Sequence, residues 1–129
     1  MSDNQSNFLR LVDTIRELRS ENGCPWDKRQ TTSSMVKYLH SEFDELVEAI
    51  DKKDTENICE EIGDLLFILV MISEINSESG KFTLDQVING ITEKLVRRHP
   101  HVFAGVEITD EDELKEQWRK IKAEEKSKK

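Results

Sequence analysis

The sequence predicts an all-α protein: a helix bundle of four to five helices that oligomerises through a buried third helix. Three observations predict it. Apolar residues recur at helical spacing along most of the chain. Helix breakers are scarce, with 5 glycines and 2 prolines among 129 residues. Finally, Leu65 to Ile72 is an unbroken apolar run. A helix that is apolar on every side needs cover on every side, which one small domain does not easily supply. A two-fold dimer is the simplest way to supply it.

The elements follow in order. Phe8, Leu11, Val12, Ile15 and Leu18 place a first helix over about residues 5–20. Asn22 to Asp27, with Gly23 and Pro25, breaks it, and Thr31 to Ser34 offer N-caps for the next helix. Met35, Leu39, Leu46 and Ile50 mark the second helix, closed by Lys52-Lys53-Asp54. The third runs from Asp54 or Thr55 to about Asn76 and carries the apolar run. Ser79-Gly80-Lys81 is a turn, and Thr83-Leu84-Asp85-Gln86 has the form of a capping box. Leu84, Val87, Ile88, Ile91 and Leu95 give the fourth helix, ending near His99-Pro100 because the residue before proline avoids helix. His99 to Ile108 reads as a loop. Thr109 to Asp112 starts a last helix through Leu114, Trp118 and Ile121, whose basic end suits the helix dipole. The whole of 1–129 reads as a single domain, with ends at about 1–6 and 124–129 expected to fray.

Composition narrows the function. The net charge is -8, which argues against non-specific nucleic-acid binding. Anionic small molecules stay open, because a bound cation reverses the local field. Cys24 and Cys59 form no CxxC and have no histidine at zinc-finger spacing, so they read as reduced thiols of a cytoplasmic protein. The first residues lack an apolar signal segment, and the longest apolar run is too short to span a bilayer.

Two acidic pairs stand out: Glu42-x-x-Glu45 and Glu61-x-x-Asp64. Residues three apart share a helix face, so each pair aims two carboxylates one way. Side by side, two such helices bring together four oxygen donors, which repel unless a cation joins them. Oxygen-only ligands suit Mg²⁺ or Mn²⁺. The plainer alternative is a solvated acidic face, as expected for Glu17, Glu48, Glu56, Glu74 and Glu78. Two features weigh against it for the four. Glu42 and Glu45 lie beside Leu39 and Leu46, and Glu61 and Asp64 precede the apolar run. Gly63, inside a helix, suggests close backbone approach. A di-iron site is not favoured, because no Glu-x-x-His pair exists, and an EF-hand loop is absent.

An ordered set of motifs resembles one family. It comprises Cys24-Pro25-Trp26-Asp27, Gln30-Thr31, Glu42-x-x-Glu45 and Glu60-Glu61-Ile62-Gly63-Asp64-Leu65-Leu66-Phe67. It continues with Lys94-Leu95-x-Arg97-Arg98-His99-Pro100-His101-Val102-Phe103 and Trp118-x-x-Ile121-Lys122-x-Glu124-Glu125-Lys126. The set resembles MazG, whose members are nucleoside triphosphate pyrophosphohydrolases of the all-α NTP pyrophosphatase superfamily. The resemblance implies hydrolysis of an NTP to NMP and pyrophosphate by dimers or larger homo-oligomers; the charge and the short apolar run add the expectation of no nucleic-acid and no membrane partner. It implies Glu42, Glu45, Glu61 and Asp64 as ligands of Mg²⁺, with Mn²⁺ a possible substitute. Beyond the resemblance, the chemistry of the cluster makes Glu42 and Glu45 the catalytic candidates, Glu45 being the one to orient or deprotonate water. Lys94, Arg98, Trp118 and Lys122 match nucleotide-contacting positions. The family's metal motif is EExxE followed by ExxD, and Ser41 stands where its first Glu is expected. That departure leaves the number of metal ions open. It also keeps an alternative alive: a catalytically weakened nucleotide-sensing or dimerisation helical module. Arg97 points elsewhere on its helix than Lys94 and Arg98, and Trp26, Asp27 and Lys28 receive no firm role. His99 and His101 read as loop structure.

Overall fold

The structure is a computed structural model and describes residues 3–128. Its helices are α1 (Asp3–Leu18), α2 (Pro25–Arg29), α3 (Val36–Asp51), α4 (Thr55–Glu78), α5 (Leu84–Arg98), α6 (Pro100–Phe103) and α7 (Glu111–Ser127). A short 3₁₀ helix, Ser33–Met35, leads into α3. Among the described residues there is no strand. Five long helices agree with the expected all-α bundle, and two short ones, α2 and α6, replace what the sequence reads as loop. In both, proline occupies the first turn, where its missing N–H costs nothing.

The expected fraying falls partly on Met1, Ser2 and Lys129, which lie outside the described residues. Asp3 to Ser6 and Glu124 to Ser127 are helical.

The chain divides into two compact units, Met1–Leu84 and Asp85–Lys129. In the first, Val12, Ile15, Met35, Ile68, Val70 and Met71 form the core, with Trp26 and Tyr38 packed on it edge to face. Gly23 sets the exit from α1. A Cβ there would sit 2.2 Å from the Leu18 carbonyl oxygen, so no other residue fits without moving backbone. Thr31 and Ser34 bond each other's backbone N–H at 3.1 and 2.8 Å, a reciprocal cap ahead of the 3₁₀ turn.

Arg19 ties the unit's far end together. Its Nε and one terminal nitrogen donate to both oxygens of Glu78, at 2.7 and 2.8 Å. Its other terminal nitrogen donates to the carbonyls of Asp27 and Gln30. Glu74 is buried and paired with Arg16 at 3.1 Å. Glu74 and Glu78 are therefore structural partners and not the solvated acids the sequence suggests.

The single chain does not cover α4 all round, as expected of a helix too apolar for one small domain to bury. Ile68, Val70 and Met71 are buried, but Ile62 is 52% exposed and Leu69 47%. A 24-residue helix packed on one side by α1 and α3 leaves its other side uncovered. One expectation about α4 needs correction. The close approach expected at Gly63 is missing: nothing lies within 4 Å of a Cβ built there.

The second unit has no fully buried residue on α5, α6 or α7. Polar links dominate it. Asp110 caps α7 by accepting from the Glu113 N–H at 2.9 Å, and Glu113 accepts from the Thr109 N–H at 3.0 Å. It resembles a capping box, except that Glu113 reaches the residue before the N-cap and not the N-cap itself.

Candidate functional site

The acidic pairs meet because the α3–α4 hairpin is symmetric about its turn. Lys53 adopts a left-handed φ of 55°, and Asp54 caps α4 by accepting from the Asn57 N–H. Glu45 and Glu61 lie eight residues on either side of Lys53, and Glu42 and Asp64 eleven. Antiparallel helices rise equally per residue, so equal distances from the turn mean equal heights. The result is one carboxylate oxygen from each of Glu42, Glu45, Glu61 and Asp64 within 4.8 Å of the others.

Among the described residues, no Lys or Arg is ion-paired with this cluster. Oε2 of Glu42 and Oε2 of Glu61 are buried without a hydrogen-bond partner. Burial, followed by the neighbouring Glu42 and Glu45 carboxyls, pushes the Glu61 carboxyl up to about 7. Burial also raises Glu42, with the charges of Glu45 and Asp64 adding to it. Four acids in reach of one another, two of them with orphaned oxygens, fit a hard divalent cation bound among them. Ser41, the position of the expected fifth acid, is exposed on α3.

The second unit gathers the basic candidates. Lys94, Arg97, Arg98, Lys122, Glu125 and Lys126 line one cavity of about 320 Å³. Lys94, Arg98 and Lys122 are thus brought together. Trp118 lies a turn earlier on α7, edge to face with His99 at 5.7 Å, and its buried indole N–H has no acceptor. His99 bonds the Leu95 carbonyl through Nδ1 at 2.6 Å, and His101 meets Gln117 at 3.3 Å. Both histidines brace the α5–α7 corner.

Sequence reasoning missed Glu125. Its Oε2 accepts from Arg97 Nε at 2.6 Å and its Oε1 from an Arg98 terminal nitrogen at 2.8 Å. Arg97 therefore shares a partner with Arg98 and does not point away from it. The sequence carried only the placement of Glu125: Trp118, Lys122 and Glu125 repeat at i, i+4 and i+7, one stripe of α7, with nothing to show the arginines it meets.

An all-α fold that brings four carboxylates together on two antiparallel helices is a class of helical protein equipped to hold a divalent cation. Residues 30–103, more than half of the chain, match the family described as the MazG nucleotide pyrophosphohydrolase domain. The chain belongs to that family. It is 45% identical over 122 residues to the nucleoside triphosphate pyrophosphohydrolase/pyrophosphatase MazG of Thermotoga maritima, covering 95% of this chain and 46% of that protein. It is 40% identical over 121 residues to the nucleoside triphosphate pyrophosphohydrolase of Escherichia coli K12, covering 93% and 46%. An uncharacterised protein, YabN of Bacillus subtilis, is 50% identical over 120 residues, covering 93% of this chain and 24% of that protein. The chain thus spans between a quarter and half of these relatives. The crystal structure of a mazG-related protein from Thermotoga maritima matches with a TM-score of 0.74 at 30% identity, over 88% of this chain and 97% of that one.

Proposed function

We propose that this protein is a Mg²⁺-dependent nucleoside triphosphate pyrophosphohydrolase that converts an NTP and water to NMP and pyrophosphate. One observation carries the reading: four carboxylates converge, and two of their oxygens are buried without a partner. The names of the relatives support the same chemistry.

Glu42, Glu45, Glu61 and Asp64 would hold the ion, with Mn²⁺ able to replace Mg²⁺. The bound ion would supply charge neutralisation for a polyphosphate that carries about four negative charges. Glu45, exposed in the cluster, would accept a proton from the attacking water or orient it, with Glu42 beside it. Lys94, Arg98 and Lys122 bind phosphate oxygens, Arg by paired N–H donors and Lys as a point charge. Trp118 covers the base or ribose, and its unpaired indole N–H offers a donor there. In the reaction, oxygen from water is added to phosphorus, the α–β anhydride bond breaks, and pyrophosphate leaves with its electron pair.

Uncovered apolar stripes on α3 (Phe43, Val47, Ile50) and α4 (Ile62, Leu66, Leu69) support a homodimer or higher homo-oligomer as the working form. The two free cysteines suit the cytoplasm, where nucleoside triphosphates are made. Among the described residues, no helix is long and apolar enough to cross a membrane.

The test is pyrophosphate release by Glu42→Gln and Asp64→Asn across canonical and modified NTPs. Each should lower turnover by about a hundredfold or more while helix content is kept. Full activity in either variant would falsify the ligand assignment. Nucleotide binding by the wild-type chain without turnover would assign the sensing module, which Ser41 motivates.

A further inference from the structure

We propose that Glu125 is a positioning residue for polyphosphate binding: it grips Arg97 and Arg98 by their inner edges and turns their remaining N–H groups toward one anion. The inference rests on the pyrophosphohydrolase reading and adds two residues to it. Its basis is geometric. Glu125 takes Arg98 side-on, with Nε at 3.4 Å from Oε2 and a terminal nitrogen at 2.8 Å from Oε1. It takes Arg97 through Nε alone, at 2.6 Å. A guanidinium carries five N–H donors on a rigid plane. Side-on capture uses two and leaves the opposite edge of Arg98 for a second acceptor. Both terminal nitrogens of Arg97 are left as well. Among the described residues, neither arginine has another acceptor.

Both arginines, with Lys94, Lys122 and Lys126, line one cavity: five basic side chains around a single carboxylate. This stands in a chain of net charge -8. A stabilising ion pair needs no such surplus, and Arg97 is half-exposed, where an ion pair contributes little to stability. Holding two long cationic side chains in place matters for binding, because ordering them otherwise costs affinity. The two guanidiniums, acting first on Glu125 from α5, hold its carboxyl down at about 2, so the grip stays ionised at any pH near neutrality.

The experiment compares wild type with Glu125→Gln and Glu125→Asp. The readouts are KM and kcat for pyrophosphate release, and calorimetric titration with inorganic tripolyphosphate. Glu125→Gln keeps the shape and removes the charge. It should raise KM and the tripolyphosphate Kd about tenfold, with kcat within about twofold. Glu125→Asp withdraws the charge by one methylene and should raise both about threefold. It also decides the matter should Glu125→Gln not fold. A KM at or below the wild-type value in a folded variant overturns the proposal, and a fall in KM would make Glu125 a latch that substrate must displace. An equal loss in kcat and in thermal stability would make it merely structural, which also overturns the proposal. If the wild-type chain releases no pyrophosphate, the enzymatic reading fails and tripolyphosphate decides the grip by itself. Failure of the wild-type chain to bind tripolyphosphate would overturn the grip, while pyrophosphate release alone decides the enzymatic reading.

Discussion

At Glu61, burial and two neighbouring carboxyls hold a proton up to about pH 7, against 4.5 for an ordinary side chain. Between those values the folded chain keeps a proton that the unfolded chain has released, so the stability linked to this group falls as pH rises. That contribution is complete below about 4.5 and gone above about 7. The metal-free melting temperature should therefore drop across this window, and Glu61→Gln should flatten the drop. A cation bound among the four acids would expel the proton, so the thermal shift caused by Mg²⁺ should grow from about pH 6 to about pH 8. Differential scanning fluorimetry at both pH values, with and without Mg²⁺, checks this. A shift that does not change with pH would mean the ion binds elsewhere. The four acids were legible in the sequence because i, i+3 spacing is local. Glu125 was not, because its meaning lies in two arginines 27 and 28 positions away in the chain.

At the scale of elements, the α3–α4 turn sets the register of the acidic cluster. Lys53 holds a left-handed φ of 55°, a conformation that side chains with a Cβ resist and glycine accepts. Lys53→Gly should stabilise the hairpin by about 0.5–1 kcal/mol, read from urea denaturation with an unchanged m-value. A loss of stability would mean that the lysine makes contacts outweighing its strain. The helix periods were legible in all five long elements, since apolar spacing is written into each one. The two short helices escaped because their signals, Pro25 and Pro100, also read as breaks. Proline ends a helix in its interior and starts one at its first turn, and a single sequence does not say which applies.

For the whole molecule, the apolar run on α4 told only part of the story. Its inner side is buried against α1 and α3, and its outer side, with Ile62, Leu66 and Leu69, is left open to solvent. On α5, Val87, Ile88, Ile91 and Leu95 are likewise uncovered. If a second copy covers the α4 face, Leu69→Asp should convert the assembly to monomers in sedimentation equilibrium. The fold of each chain should survive, since the side chain is already 47% exposed. Wild-type protein sedimenting as a monomer at the same concentration would refute the arrangement.

The sequence by itself determined the helices, their order, the acidic pairs and the family resemblance. All of these rest on residues a few positions apart or on ordered motifs. The tertiary structure decided that Glu42, Glu45, Glu61 and Asp64 meet within 4.8 Å and that Arg97 and Arg98 share Glu125. It also decided that α4 keeps an open side. The reason is physical: periodicity says which face of a helix is apolar or charged, but only packing says what that face meets.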